Sequence, residues 1–245
     1  MRIAYLVPGP LSRGPLGPAE LDRRQAFLAE HAFPGTAVEV RETDAGPASI
    51  ESSVEEHLAV PGIIQAMPGL EAEGFDAVII GCFGDPGLPA ARELVDIPVI
   101  GPAQAGALMC VQLGERFGIL TVVNEVVPSL RRLMRGYGLD ALLADVRAVD
   151  VPVLELRDRR EEVLATLTAE GQRAAAAGAD ALVLGCMTMG FLDVAAELTD
   201  RLGVPVVNPV LAALKAAESA AALGVAQSKT AYPPPRKGEA AARPV

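Results

Sequence analysis

The sequence has no tryptophan and little histidine, lysine or cysteine among its 245 residues. All three lysines lie in the last 31 positions, in a predicted late helix and tail, so the Schiff-base lysine of a pyridoxal enzyme is not expected. No dinucleotide fingerprint or phosphate-binding loop occurs. With His31 and His57 as the only histidines, a zinc site would need scattered ligands. We therefore expect no cofactor and no metal, and chemistry carried out by the protein's own side chains.

Aromatic residues make up only 4% of the chain and hydrophobic residues 51%, which predicts an aliphatic core of parallel strands covered by Ala-rich helices. The net charge of −10 opposes binding to nucleic acid or to anionic lipid. No apolar stretch is long enough to span a membrane, and Met1–Pro8 is typical of a first strand rather than a signal peptide. Three cysteines, a small and odd number, do not make a disulfide framework, so reduced thiols and a cytoplasmic location are expected.

Short apolar runs alternate with stretches of helical periodicity along the whole chain. This alternation is typical of α/β proteins with mostly parallel sheets. The predicted strands are Arg2–Val7, Ala37–Arg41, Ala77–Gly81, Pro98–Ile100, Phe117–Val122, Asp145–Val149, Ala181–Gly185 and Pro205–Val207.

The chain also repeats itself. The segment Gly74–Cys82 matches Gly178–Cys186, and Ile97–Ile100 matches Val204–Val207 at nearly the same offset. Two copies at one offset predict two pseudo-symmetric lobes rather than a solenoid. The predicted division is a first α/β lobe over 1–101, a second over 102–207, a helix over 208–224 that returns to the first lobe, and a Pro-rich tail over 225–245.

Each repeat delivers a cysteine, Cys82 or Cys186, at the carboxyl end of a buried strand, where ligands of α/β sheets bind. Asp85 with Pro86, and Thr188, are predicted helix-start residues, which would place both sulfurs near helix N-termini and lower the thiol pKa toward neutrality. Two thiols facing each other across a cleft suit proton transfer at one carbon. One removes the α-proton from one face, and the other returns a proton to the opposite face.

A single cysteine at a strand end is more often a packing residue than a catalytic one. Two cysteines at equivalent repeat positions favour a function, whereas Cys110, on a probable helix, is predicted to be core. Asn124 is as suited to capping a helix as to holding substrate. The predicted substrate contacts flank the two cysteines or end neighbouring strands: Phe83, Gly84, Thr121, Asn124, Met187, Thr188 and Pro8.

Four segments resemble the aspartate/glutamate/hydantoin racemase family, nearest its hydantoin and allantoin racemase branch: Gly46–Ser52, Gly81–Leu88, Arg116–Thr121 and Gly178–Cys186. The resemblance covers most of the chain. It implies two Rossmann-like lobes with the active site between them, catalytic roles for both repeat cysteines, no cofactor, and a homo-oligomer, a dimer or larger.

Three segments depart from that branch, and all three are expected to line the cleft: Pro8-Gly9-Pro10, Met187-Thr188-Met189 and Asn208-Pro209. They leave the identity of the substrate open. The predicted function is racemisation or epimerisation at the carbon α to a carboxylate or cyclic imide, in a small molecule such as a 5-substituted hydantoin, allantoin or an amino acid. The alternatives are a maleate-type isomerisation through a cysteine adduct and non-catalytic binding of a small anion.

Overall fold

The computed structural model describes residues 1–236 as two parallel four-stranded sheets flanked by helices, which confirms the predicted fold class. The strands are β1 (Arg2–Val7), β2 (Ala37–Glu42), β3 (Ala77–Ile80), β4 (Val99–Ile100), β5 (Phe117–Thr121), β6 (Leu143–Ala148), β7 (Ala181–Leu184) and β8 (Val206–Val207). The helices are α1 (Pro18–His31), α2 (Ser53–Ala72), α3 (Leu88–Leu94), α4 (Pro102–Leu113), α5 (Val127–Gly136), α6 (Arg160–Ala176), α7 (Met187–Gly190), α8 (Ala195–Leu202) and α9 (Pro209–Leu223).

The two sheets have the same topology. The first has the strand order β2-β1-β3-β4 and the second β6-β5-β7-β8, with every neighbouring pair parallel. The central strands β1, β3, β5 and β7 are buried almost throughout, which explains why they are continuous apolar runs in the sequence.

The repeat extends to hydrogen bonds at both ends of the central strands. At one end, Asp76 accepts from the backbone N–H of Arg2 at 2.7 Å, and Asp180 accepts from that of Arg116 at 2.9 Å. At the carboxyl end, the N–H of Gly81 donates to Leu6 at 2.7 Å, as the N–H of Gly185 donates to Leu120. The same tertiary contacts therefore hold β3 against β1 and β7 against β5.

Two helices cross between the lobes. Helix α4 follows the first sheet, yet its residues Ala107 and Cys110 are buried with Phe117 and Val183 of the second. Helix α9 follows the second sheet, and its inner face is buried with first-sheet side chains such as Ile3. This exchange of helices fixes the orientation of the two lobes and therefore the cleft between them.

The segment after α9 lies along the first lobe. The Gln227 side chain donates to the carbonyl oxygens of Val95 and Ile97, and the Lys229 ammonium donates to Val95 at 2.7 Å. Positions 237–245 of the predicted Pro-rich tail lie outside the described residues. No helix within residues 1–236 is both long and apolar enough to cross a membrane.

Candidate active site

The two Gly-Cys turns have the same construction. A Cβ atom on Gly81 would lie 2.7 Å from the Leu6 carbonyl oxygen, and one on Gly185 would lie 2.7 Å from Cγ2 of Ile119. Glycine is therefore required where each strand passes closest to its neighbour. The residue that follows, Cys82 or Cys186, leaves the sheet at its carboxyl end.

Both cysteines line one cavity between the lobes. The empty space inside it and at its open mouth is about 870 Å³. Cys82 and Cys186 are partly exposed, whereas Cys110 is fully buried in the core as predicted. Most of the wall is apolar, formed by side chains such as Leu11, Leu16, Ile50, Val126, Leu130, Val153 and Leu154.

The structure brings most of the predicted substrate contacts to this cavity, namely Pro8, Phe83, Gly84, Thr121, Met187 and Thr188. Asn124 is not among the lining residues. Its side chain is exposed and donates to the Asp150 carboxylate at 3.0 Å, on the surface outside the cleft.

The three segments that depart from the racemase branch are not all in the cleft. Pro8 and Gly9 line the cavity, as do Met187 and Thr188. Asn208 and Pro209 do not line it. The Asn208 side chain accepts from the N–H of Val210 and donates to the Gly190 carbonyl, so it caps α9 and holds the end of α7.

Cys186 has several hydrogen-bond donors around it. It is the N-cap of α7, and the backbone N–H groups of Met189 and Thr188 and the Thr188 hydroxyl are near enough to its sulfur to oppose the increase of its pKa. The Thr188 oxygen in turn accepts from the buried Arg24 guanidinium at 3.1 Å. The Arg24 charge and the Thr188 hydroxyl therefore both favour the thiolate of the second-lobe cysteine.

Cys82 has fewer hydrogen-bond donors near it than Cys186, and its neighbours are acidic. The backbone N–H of Gly84 lowers the pKa of its thiol, and its charged neighbours are the carboxyl groups of Asp85 and Glu56. Burial raises the pKa of the Cys82 thiol, and these carboxylates and Cys186 raise it further. Burial also raises the pKa of the Cys186 thiol, but there the donors and the Arg24 charge act against the increase.

The prediction that helix N-termini would lower both thiol pKa values is therefore wrong. Loss of water around each sulfur outweighs the hydrogen bonds to it. The predicted starts of the two helices are also wrong, because α3 begins at Leu88 after an N-cap at Gly87, and Thr188 lies inside α7. No helix therefore starts directly at Cys82.

Asp85 caps a different helix from the one expected. Its carboxylate accepts from the N–H groups of Ala103 and Gln104 at the start of α4, both at 3.0 Å, and from the Tyr137 hydroxyl at 2.6 Å. Burial raises the pKa of Asp85 to about 6, against the lowering effect of these three donors. The carboxylate ties the Cys82 turn to α4 and to Tyr137 of the second lobe.

Two charged residues of the cavity were not predicted from the sequence. Arg24 comes from α1, where its Nε donates to the buried Glu20 carboxylate at 2.8 Å. Glu56 comes from the first turn of α2, just after the segment Gly46–Ser52 that resembles the racemase branch. Neither residue lies in the repeated part of the sequence.

Tyr5 lies on β1, one of the two central strands of the first sheet. Its hydroxyl is buried and has no hydrogen-bond partner among residues 1–236. Burial raises the pKa of Tyr5 far above its usual range, with smaller contributions from both cysteines. Among the same residues, no cluster of three or more His, Cys, Asp or Glu side chains is suited to hold a metal ion.

Comparisons with known proteins agree with this geometry. The family model of the Asp/Glu/hydantoin racemases matches residues 22–217. A hydantoin racemase of Rhizobium meliloti is 40% identical over 216 residues, covering 85% of this chain and 86% of that protein. One from Paenarthrobacter aurescens is 37% identical over 231 residues, covering 94% of each.

A solved structure, the allantoin racemase from Klebsiella pneumoniae, superposes with a TM-score of 0.87 at 36% identity, covering 97% of this chain and 94% of that one. The chain belongs to the Asp/Glu/hydantoin racemase family and is an isomerase of the racemase class.

Proposed function

We propose that this protein racemises 5-substituted hydantoins or allantoin without a cofactor, using Cys82 and Cys186 as the two proton-transferring groups. The observation that carries the proposal is the presence of two partly exposed sulfurs, one from each lobe, in the wall of one cavity. The substrate class is supported by the relatives, which are hydantoin racemases at 37–40% identity and an allantoin racemase structure.

The reacting carbon of these substrates bears one hydrogen between a ring carbonyl and a ring nitrogen. In one direction, the Cys186 thiolate takes this proton, and the electrons of the C–H bond pass to the carbonyl, giving a planar enolate. The Cys82 thiol then donates its proton to the opposite face, which restores the C–H bond with inverted configuration. The reverse reaction exchanges the two roles, so the proton count balances in both directions.

The raised thiol pKa values fit this chemistry. A thiolate formed from a less acidic thiol is a stronger base, which suits removal of a proton from weakly acidic carbon. The opposing thiol must remain protonated until it donates, and its raised pKa keeps it so. The apolar wall removes water from the reacting carbon, which strengthens the electrostatic interactions inside the cavity.

The decisive experiment follows a single enantiomer in deuterated water. We expect the full chain, treated with a chelator, to abolish the optical rotation of 5-isobutylhydantoin or allantoin and to introduce one deuterium at the reacting carbon. Rates are corrected for the uncatalysed reaction. No enzymatic loss of rotation across a panel of hydantoins, allantoin and acidic amino acids would overturn the proposal.

Cysteine variants test the assignment of the two sulfurs. Cys82→Ser and Cys186→Ser should each reduce racemisation by about a hundredfold or more, the usual contribution of a positioned acid or base. Cys110→Ala is the matched control, because Cys110 is buried in the core away from the cavity. If either cavity variant retained the activity of the Cys110→Ala protein, the two-cysteine mechanism would be wrong.

A further inference from the structure

Glu56 is the one carboxylate among the described residues that line the cavity, and Arg24 is the one cationic side chain. Glu56 is placed by the start of α2. The Ser52 side chain accepts from the N–H of Glu55, which caps the helix, and Glu56 follows in its first turn. Its side chain is half-buried rather than in open solvent.

The neighbouring glutamates have hydrogen-bonded carboxylates, whereas Glu56 does not. The Glu51 carboxylate accepts from the N–H of Val153, and the Glu55 carboxylate accepts from the N–H of Glu51. The Glu56 carboxylate makes no hydrogen bond or ion pair with any residue in 1–236, although burial raises its pKa. A partly desolvated carboxylate without a donor lowers its free energy by accepting a hydrogen bond from whatever occupies the cavity.

The position of Gly84 shows how close this carboxylate is to the first-lobe sulfur. A methyl group placed on Gly84 would lie 3.7 Å from Cδ of Glu56 and 3.8 Å from Sγ of Cys82. The absence of a side chain there leaves a gap that the carboxylate and the sulfur share. A small ring seated against the Cys82 sulfur therefore places its edge within hydrogen-bonding reach of Glu56.

The polarity of the cavity is opposite on its other side. On the Cys186 side, the Arg24 guanidinium donates to Thr188 and brings a positive charge close to the sulfur, so that side attracts a hydrogen-bond acceptor. The Cys82 side offers an acceptor. A ligand with an N–H group at one edge and a carbonyl group at the other matches both sides, which is the pattern of an amide or ureide and not of a dicarboxylate.

We propose that Glu56 is a specificity-determining residue, whose carboxylate accepts a substrate N–H on the Cys82 side and repels ligands that would place a carboxylate there. The proposal rests on the function proposed above and deepens it, because it restricts the substrates to neutral ureides with a free N–H. It excludes acidic amino acids as good substrates.

The test compares a hydantoin with a form that lacks its N–H groups, in three variants. Glu56→Leu should reduce kcat/KM for 5-isobutylhydantoin by about tenfold to a hundredfold, the equivalent of one hydrogen bond to a charged group. Toward the 1,3-dimethyl derivative, which has no N–H to donate, the loss should be clearly smaller, because only the effect of Glu56 on the Cys82 thiol remains. The kcat/KM of Glu56→Gln for 5-isobutylhydantoin should lie between those of Glu56→Leu and the unmodified enzyme, because glutamine keeps an acceptor. Glu55→Gln is the control, since Glu55 lies on the same helical turn but does not line the cavity.

An equal loss toward both hydantoins would show a merely structural role, and no loss toward either would show that Glu56 does not contact substrate. Both results would overturn the inference. Malonate provides a second readout without turnover. It should bind more tightly to Glu56→Gln than to the unmodified protein by calorimetry, and equal binding would also count against the inference.

Binding measurements separate this inference from the proposed function. The same two hydantoins are titrated into Cys82→Ser, which binds without racemising. Preference for the free N–H that depends on Glu56, without racemisation by the unmodified protein, would support the inference and refute the function. Racemisation that does not depend on Glu56 would support the proposed function and refute the inference about Glu56. Absence of both binding and turnover would refute the function and the inference together.

Discussion

The two halves of the active site share a backbone but differ in their side chains. In each lobe, a central buried strand ends in Gly-Cys, and the glycine N–H donates to the neighbouring strand. Around Cys186, two backbone N–H groups, the Thr188 hydroxyl and the Arg24 charge favour the thiolate. Around Cys82, only one backbone N–H favours the thiolate, and the carboxyl groups of Asp85 and Glu56 disfavour it.

This difference shows what an internal repeat supplies and what it does not. The repeated backbone places the two cysteines in the wall of one cavity. The unrepeated helices α1 and α2 supply Arg24, which lowers the pKa of the Cys186 thiol, and Glu56, which raises the pKa of the Cys82 thiol. Cys186 is therefore expected to be the first of the two to lose its proton, and Cys82 the one that stays protonated.

Removing the cation should have the largest effect on this difference. Arg24→Met takes the positive charge from Thr188 and Cys186, and we expect kcat/KM to decrease by about a hundredfold, the scale of losing an activated base. It should also destabilise the fold, because the buried Glu20 loses a partner. Alkylation by iodoacetamide, mapped by mass spectrometry, should slow at Cys186 and not at Cys82.

Arg23→Met is the control for Arg24→Met. Arg23 pairs with the same Glu20 but does not line the cavity. If both variants slowed the alkylation of Cys186 equally, the effect would come from Glu20 and its helix rather than from the cavity charge.

Thr188→Val should have the next largest effect. The substitution keeps the shape of the side chain and removes the hydroxyl that links Arg24 to the sulfur. Loss of one hydrogen bond to a charged group predicts a decrease of about tenfold in kcat/KM. Thr168→Val, on α6 away from the cavity, controls for the general effect of the substitution. Equal activity of the two variants would contradict the proposed link.

The pH dependence of alkylation tests the comparison without any substitution. The pKa of both thiols is raised, so both alkylation rates should increase as the pH rises past the ordinary thiol midpoint of about 8.5. Cys186 should react faster than Cys82 at each pH, because its donors offset part of the burial. A faster reaction at Cys82 would reverse the assignment of acid and base.

Tyr137→Phe should have the smallest effect on catalysis but a measurable effect on stability. Asp85 has a raised pKa of about 6, so the folded protein binds its proton more tightly than the unfolded chain does, and this group destabilises the fold as the pH rises from 4 to 6. Tyr137 opposes this by donating to the charged form. Its loss should cost about 2 kcal/mol at pH 8. The cost should be smaller at pH 5, where Asp85 is protonated, and urea unfolding at the two pH values measures the difference.

Much of the fold could be predicted from the sequence, because buried parallel strands leave continuous apolar runs. All eight predicted strands occur, with ends that differ by at most two residues, as at β6, which begins at Leu143 rather than Asp145. The Gly-Cys repeat predicted two similar lobes for the same reason. The two Gly-Cys motifs lie at the same place in each sheet, so the repeat in the sequence corresponds to the repeat in the fold.

The charged groups of the site could not be predicted in this way. Arg24 reaches Thr188 across 164 positions of the chain, and Asp85 caps a helix that starts 17 positions later, so both contacts depend on how the lobes pack. The thiol pKa values depend on burial, which the motif around each cysteine does not reveal. Asn124 and Asn208 are polar residues near strand ends, but their side chains bind Asp150 and the ends of α7 and α9.

The isotope pattern of the first turnovers tests the central claim most directly. Each enantiomer of 5-isobutylhydantoin is incubated separately with the enzyme in deuterated water, and the two enantiomers are separated before equilibrium. If two sulfurs act on opposite faces, the product enantiomer should carry deuterium from the start, while the remaining substrate keeps its hydrogen. Early deuterium in the unreacted enantiomer, to the same extent as in the product, would show a single group that exchanges its proton and serves both faces, and would contradict the account.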